Sequence, residues 1–236
     1  MPLTRQIEPE LLDHLPANDP GAVGSRHDLQ RLNSLMGHVG LMTRLLRANA
    51  AASSMSTLVE LGAGDGNFLS RVAGRIGSHA PGVKAIMIDL QGDLNAQTRQ
   101  GFEDLGWSVE AVISDVFEWL AKIPPQTGTA IIANLFLHHF TEPQLRNLLS
   151  QVALKADWFA ACEPRRSLSA LGMSRLLGLI GCNSVTRHDA VISVRAGFLG
   201  NELSKLWPPG SGWWTAEGEA GLFSHTFAAC RREKCP

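Results

Sequence analysis

Apolar residues recur along this chain with two alternating periods, and the alternation itself predicts a fold class. Between residues 57 and 163, short apolar runs are separated by stretches of helical period. The pattern predicts strands at 57–62, 84–89, 108–114, 128–135 and 157–163, with helices at 66–77, 93–105, 116–122 and 142–154. Such alternation argues a parallel sheet with helices on both faces. Thr141 as N-cap and Pro143 in the first turn suit the start of the last of these helices. Upstream, residues 1–24 carry Pro2, Pro9, Pro16 and Pro20 and read as an irregular lead-in. Residues 26–48 then have helical periodicity, which Gly37 and Gly40 are expected to break into two helices. After Pro164 the rhythm changes. Residues 168–180 and 185–206 are helix-like apolar segments, Pro208, Pro209, Gly210, Ser211 and Gly212 interrupt the chain, and 213–215 with 222–229 read as a terminal hairpin.

The chemistry starts at the first strand. Leu58, Val59 and Leu61 run into Gly62, Gly64 and Gly66, with Glu60 just before the loop. Glycines there let the backbone turn sharply and bring main-chain N–H groups against a ligand. The spacing is G-x-G-x-G. A dinucleotide loop has G-x-G-x-x-G, and its third glycine would fall on Asn67, which weakens a pyrophosphate reading.

The stretch Glu60-Leu61-Gly62-Ala63-Gly64-Asp65-Gly66 resembles the first motif of the class I S-adenosylmethionine-dependent methyltransferases. The resemblance continues at later strand ends: Asp89 after the second, Asp115 after the third, and Asn134-Leu135 followed by Phe136, Leu137, His138, His139 and Phe140 after the fourth. It implies a Rossmann-like α/β fold, a seven-stranded mostly parallel sheet whose last strands enter antiparallel. Residues 1–56 would form an N-terminal helical cap and 57–236 the methyltransferase domain, with a helical lid at 164–210 before the final strands. It also implies S-adenosyl-L-methionine as cofactor and S-adenosyl-L-homocysteine as product, held by Glu60, Gly62, Ala63, Gly64, Gly66, Asp89, Leu90, Asp115, Val116, Asn134 and Leu135. In that family the residue at Asp89 takes the ribose hydroxyls and the one at Asp115 reads adenine. The competing account of these acids is structural, since acids at strand ends also start turns and cap helices. It weighs more on Asp115 than on Asp89, because Asp93 offers itself as the cap of the following helix.

Composition narrows the partners. With 44% hydrophobic and 18% charged residues the chain is of ordinary globular type. A formal net charge of −1 argues against a dedicated nucleic-acid surface. No apolar run approaches the ~20 residues of a membrane span, and the N-terminus lacks the layout of a signal peptide. Cys162, Cys182, Cys230 and Cys235 have no metal-ligand spacing, so no metal is expected and the thiols read as reduced in a cytoplasmic protein.

Tyrosine is absent, so no phenol can act as a base. The candidate bases are His139, His188 and His138, in that order. The first and last follow the fourth strand, where loop packing is the competing role. His188 sits in Arg187-His188-Asp189, within the region where the resembled family builds its lid. Arg26, His27, Asp28, Arg31 and Asn33 form a further polar set, which either closes over the cofactor or forms a solvated face, the second being favoured. Apolar residues in the N-terminal helices and the lid segment (Met173, Leu176, Leu177, Ile180, Val191 and Phe198 among them) imply a small hydrophobic acceptor, phenolic or polyketide-like, with O-methylation favoured. Plain core packing competes with that. The alternatives are a non-catalytic module of the same fold and a nicotinamide-dependent oxidoreductase.

Overall fold

The computed structural model describes residues 3–16, 18–49, 55–77, 80, 82–92, 94–210 and 212–235. Seven strands, β1 (Thr57–Leu61), β2 (Lys84–Asp89), β3 (Ser108–Ile113), β4 (Thr129–Asn134), β5 (Trp158–Pro164), β6 (Trp213–Ala220) and β7 (Ser224–Arg231), make one sheet in the order β3-β2-β1-β4-β5-β7-β6. β1 to β5 pair in parallel, and β7 lies antiparallel to both β5 and β6. The helices are α1 (Leu11–His14), α2 (Pro20–Leu35), α3 (His38–Asn49), α4 (Asn67–Ile76), α5 (Ala96–Glu103), α6 (Val116–Lys122), α7 (Glu142–Lys155), α8 (Leu168–Ser174), α9 (Ser184–Ala196) and α10 (Glu202–Leu206).

Every residue of β1, β4 and β5 is buried, because these strands are covered on both faces. Alternation along β1 assigns the layers. Leu58 joins α3, α4 and α5 through Met42, Leu69, Val72 and Phe102, whereas Val59 and Leu61 face α6, α7 and α10 through Leu120, Leu145, Leu148 and Trp207. Consecutive strands run outward from β1 on one side and from β4 on the other. The crevice at their carboxyl ends, between β1 and β4, is where such sheets take ligands.

Several expectations are corrected by local chemistry. The lead-in is not irregular throughout, since α1 forms at Leu11 and α2 starts at Pro20, capped by the Asp19 carboxylate on the N–H groups of Gly21 and Ala22. The break between α2 and α3 falls at Gly37, which takes φ +69°, while Gly40 continues inside α3. Asn95, not Asp93, caps α5, accepting from Thr98 N; Asp93 lies outside the described residues. The segment 185–206 is two helices because the chain turns at Gly197 and Gly200, the latter at φ +62°. Cys230 and Cys235 are joined in a disulfide, with Cα atoms 5.9 Å apart. Turn bonds from Lys234 N and Cys235 N to Arg231 O fold the tail back onto β7. Cys162 and Cys182 are free and buried. No described helix is long and apolar enough to cross a membrane.

Candidate functional site

A cleft of about 970 Å³ opens at the carboxyl ends of the strands. Three glycines turn the chain from β1 into α4, with φ of +70° at Gly62, +54° at Gly64 and +72° at Gly66. A Cβ on Gly62 would lie 2.2 Å from the Phe136 ring, so that glycine is required by space as well as by conformation. Around Gly64 no atom lies within 4 Å of such a Cβ, so only its backbone demands glycine. We therefore expect Gly62→Ala to cost about 1–3 kcal/mol more than Gly64→Ala in denaturant melts, the difference being the clash. Equal losses would show that Phe136 moves aside freely.

Two carboxylates frame this loop. Asp89 Oδ2 accepts from Gly64 N at 2.9 Å, and Oδ1 accepts from Gln91 N at 2.8 Å. Each oxygen keeps a lone pair for a ligand. Glu60 is buried beneath the loop, and its Oε2 has no hydrogen-bond partner. Burial, joined by the negative charges of Asp65 and Asp89, pushes its carboxyl well above the usual carboxylate range. An unpartnered buried oxygen costs free energy, and a cationic ligand group beside it would remove that cost and restore the charge. The cradle therefore fits a ligand with an ammonium or sulfonium end and a vicinal diol.

Asp115 lines the cleft but also caps α6, accepting from Phe117 N at 2.8 Å and Glu118 N at 3.2 Å, so its structural role is filled. Val116 and Leu90 line the cleft beside it. Asn134 ends β4 between two helices, its Oδ1 accepting from His38 Nδ1 at 2.7 Å and its Nδ2 donating to Asn33 Oδ1 at 3.2 Å. Burial lowers the pKa of His38, so it stays neutral, with Nε2 accepting from Ser224 Oγ at 2.7 Å. The sequence offered no signal for this histidine. Leu135 is the one described non-glycine residue with positive φ, +52°, and its N–H donates to Cys162 O. Strain of this kind gathers at ligand sites. Of the eleven expected cofactor residues, only Gly66 does not line the cleft; it is the N-cap of α4.

Residues 58–154 match a family described as a methyltransferase domain. That stretch, from β1 through nearly all of α7, is therefore similar to a methyltransferase domain. Solved structures agree on the fold. The plantazolicin methyltransferase BpumL, solved in complex with SAH, superposes with TM-score 0.61 at 10% identity, over 91% of this chain and 92% of its own. The mitomycin 7-O-methyltransferase MmcR gives 0.53 at 16%, over 93% and 60%. The N,N-8-amino-8-demethyl-D-riboflavin dimethyltransferase RosA from Streptomyces davawensis gives 0.53 at 13%, over 94% and 62%. The chain thus spans nearly all of the first protein but about three fifths of the other two. Among curated proteins, none matches this sequence.

The same cleft is also lined by the two histidines that follow β4. His138 and His139 sit on a 3-10 turn after β4, with ring centroids 4.3 Å apart. Glu163, fully buried at the end of β5, builds that turn: its carboxylate accepts from Phe136 N and Leu137 N at 3.1 and 2.9 Å and from His138 Nδ1 at 2.8 Å. Sequence reasoning missed Glu163, although it too is an acid ending a core strand. Glu10 lies 3.3 Å from His138 Nε2. Burial alone would lower the pKa of His138, but the bonds to Glu10 and Glu163 outweigh it and raise it to about 9. Burial would raise Glu10, and the same bond to His138 brings it down to about 2. His138 is therefore an imidazolium at neutral pH. His139 is partly exposed to the cleft, with Asp13 Oδ2 3.5 Å from its Nδ1.

His188 is not brought to the site. It lies half-exposed on α9, off the cleft lining, with Nδ1 3.0 Å from Asp189. Asp189 does not start the helix, which Asn183 caps; it accepts from Leu11 N and Leu12 N. The polar set of α2 is only partly solvated, because Asp28 is buried and accepts from Asn183 N and Thr186 Oγ1.

The paired charges set a pH dependence. The raised value of His138 contributes stability fully present below its unfolded pKa of ~6.5 and lost as pH rises through about 9. The depressed value of Glu10 contributes stability present above ~4.5 and lost as pH falls toward about 2. Both describe one interaction and are not summed. Denaturant unfolding should thus give a flat optimum between those limits and a fall above pH ~7 that His138→Gln removes. An unaltered alkaline limb in that variant would deny the ion pair any part in it.

Proposed function

We propose that this protein transfers the methyl group of S-adenosylmethionine to a small, largely apolar acceptor, with a hydroxyl as the favoured target. The observation that carries the reading is the buried Glu60 Oε2, which has no hydrogen-bond partner, beneath a glycine loop whose neighbour Asp89 keeps free acceptor capacity. In this reading the methionine ammonium and sulfonium lie near Glu60 and the loop, the ribose hydroxyls on Asp89, and adenine between Leu90 and Val116. The cofactor supplies an activated methyl group, and the chain's task is to align the acceptor, exclude water and take a proton. Alignment alone can supply several kcal/mol of rate.

Support for an apolar acceptor comes from the other walls: Leu29 and Leu32 of α2, Met36 at its C-cap, Met173 and Leu177 of the lid segment, and Phe140. Of the apolar lid residues in the sequence, Met173, Leu177 and Ile180 line the cleft, whereas Leu176 and Leu179 are exposed and Ile192 and Phe198 are core. His139 is the favoured base, because His138 already carries its proton and His188 lies off the cleft. A second reading has its own observation: the carboxylates of Glu10 and Asp13 line the acceptor end and suit a basic amine. The test is a panel of phenols and amines incubated with methyl-labelled S-adenosylmethionine. Label transferred to phenols supports the first reading and label on amines the second. Cofactor binding without transfer to any acceptor would favour a non-catalytic module, and a melting shift with nicotinamide dinucleotides instead would favour an oxidoreductase.

A further inference from the structure

The N-terminal segment is pinned along its length to the acceptor side of the cleft. Arg166 Nε donates to Leu3 O at 2.8 Å. The Arg5 guanidinium donates to Ala196 O at 2.7 Å, Phe140 O at 3.0 Å and His138 O at 3.2 Å, and lies over the Phe198 ring. Gln6 N donates to Arg195 O, and Leu11 N and Leu12 N both end on the buried carboxylate of Asp189. These bonds tie the segment to α9 and to the turn after β4. They lay Glu10 against His138 and Asp13 against His139, one carboxylate for each histidine of the pair.

We propose that residues 3–15 are a strap that completes the acceptor end of the cleft, and that Glu10 is a positioning residue that clamps His138 so that His139 is presented to the acceptor. The inference rests on the methyltransferase reading above and deepens it. A carboxylate is costly to bury, and a segment held by packing alone gains nothing from burying one. Glu10 is 9% exposed, its Oε1 accepting from Ser193 Oγ while facing His138 Nε2. With Glu163 on Nδ1 and Glu10 on Nε2, the His138 ring has no freedom to rotate, and the turn that carries His139 is fixed with it. A base held by an oriented partner is the arrangement that proton removal needs. Glu10, Leu12, Asp13 and His14 all line the cleft. The strap is thus a wall of the acceptor chamber.

The ionisable groups around His138 are Glu10 of the strap, Glu163 of β5, its own neighbour His139, which faces Asp13, and Arg5 on its main-chain oxygen, with the hydroxyl of Ser193 from α9 on Glu10. The test uses the full chain with Glu10→Gln, Glu10→Asp and Ser193→Ala. The His138 imidazole is followed by nitrogen NMR through its titration, and S-adenosylhomocysteine binding by calorimetry. Glu10→Gln should lower the His138 midpoint by about one pH unit or more, Glu10→Asp should recover part of it, and Ser193→Ala should move it much less. S-adenosylhomocysteine affinity should stay close to that of the unmutated protein in all three, because the loop end is intact. For any acceptor the panel turns over, Glu10→Gln should lower kcat about tenfold or more with the cofactor KM little changed. An unchanged His138 midpoint in Glu10→Gln would overturn the clamp. So would His138 signals that shift with added zinc and revert with a chelator, since Glu10, His138 and His139 bring ligand atoms within 4.8 Å of one another and would then be a metal site. Absence of S-adenosylhomocysteine binding by the unmutated protein would remove the methyltransferase reading, a failure separate from the NMR result.

Discussion

Replacing His139 with alanine should lower methyl transfer by roughly 10²–10⁴-fold while leaving cofactor binding nearly intact. The expectation follows from elimination within the cleft. No tyrosine exists in the chain. Both oxygens of Asp89 and Oδ1 of Asp115 accept from main-chain N–H groups, and Glu60 lies beneath the glycine loop. His138 holds its proton between Glu10 and Glu163, and at about 9 its pKa is too high for it to accept another group's proton at neutral pH. His139 is the remaining imidazole in the cleft lining apart from His14 on the strap. Kinetics with a labelled cofactor on His139→Ala and His188→Ala check the assignment, the second variant being expected to work almost normally. Near-normal turnover in both would mean that the acceptor arrives ionised, or that methylation falls on an unprotonated nitrogen or on carbon. The site would then act by positioning alone.

Substituting Asp89 should weaken cofactor binding by roughly 10–150-fold, the equivalent of about 1.5–3 kcal/mol for a charge-assisted pair of hydroxyl bonds. Asp89 also accepts from Gly64 N and Gln91 N, so part of the loss in Asp89→Ala comes from a loosened loop. Asp89→Asn keeps one acceptor oxygen and removes the charge, and its intermediate affinity would separate the two contributions. Calorimetry with S-adenosylhomocysteine measures all three proteins. Unchanged affinity in Asp89→Ala would take Asp89 out of the site.

The glycine-loop end of the cleft was legible because its signals are local. Glycines at 62, 64 and 66 must adopt positive φ where β1 turns into α4, and a strand that ends in Asp89 leaves its carboxylate at the sheet's edge whatever packs around it. The period of apolar residues set the parallel core for the same reason, with boundaries displaced by one to three residues where caps such as Asn95 decide the end. The ambiguity left at Asp115 was also real, since one side chain both lines the cleft and caps a helix.

The histidine side of the cleft was not legible, because it is assembled from residues far apart in the chain. Glu10 and His138 are separated by 128 positions, His38 and Ser224 by 186, and Leu11 and Asp189 by 178. No period or spacing records such pairs. Read alone, the prolines of the lead-in suggested irregular chain, and nothing in them told that Glu10 would be buried against a histidine. The order of favour among the histidines likewise rested on distance from a strand end, which cannot distinguish His138 from its neighbour. By itself, then, the sequence determined the sheet, the glycine turn and the acids beside it, because backbone geometry and apolar period act over a few residues. Only the tertiary structure decided which histidine is charged, which faces the cleft and which lies outside it, because burial and the approach of distant carboxylates set protonation and orientation.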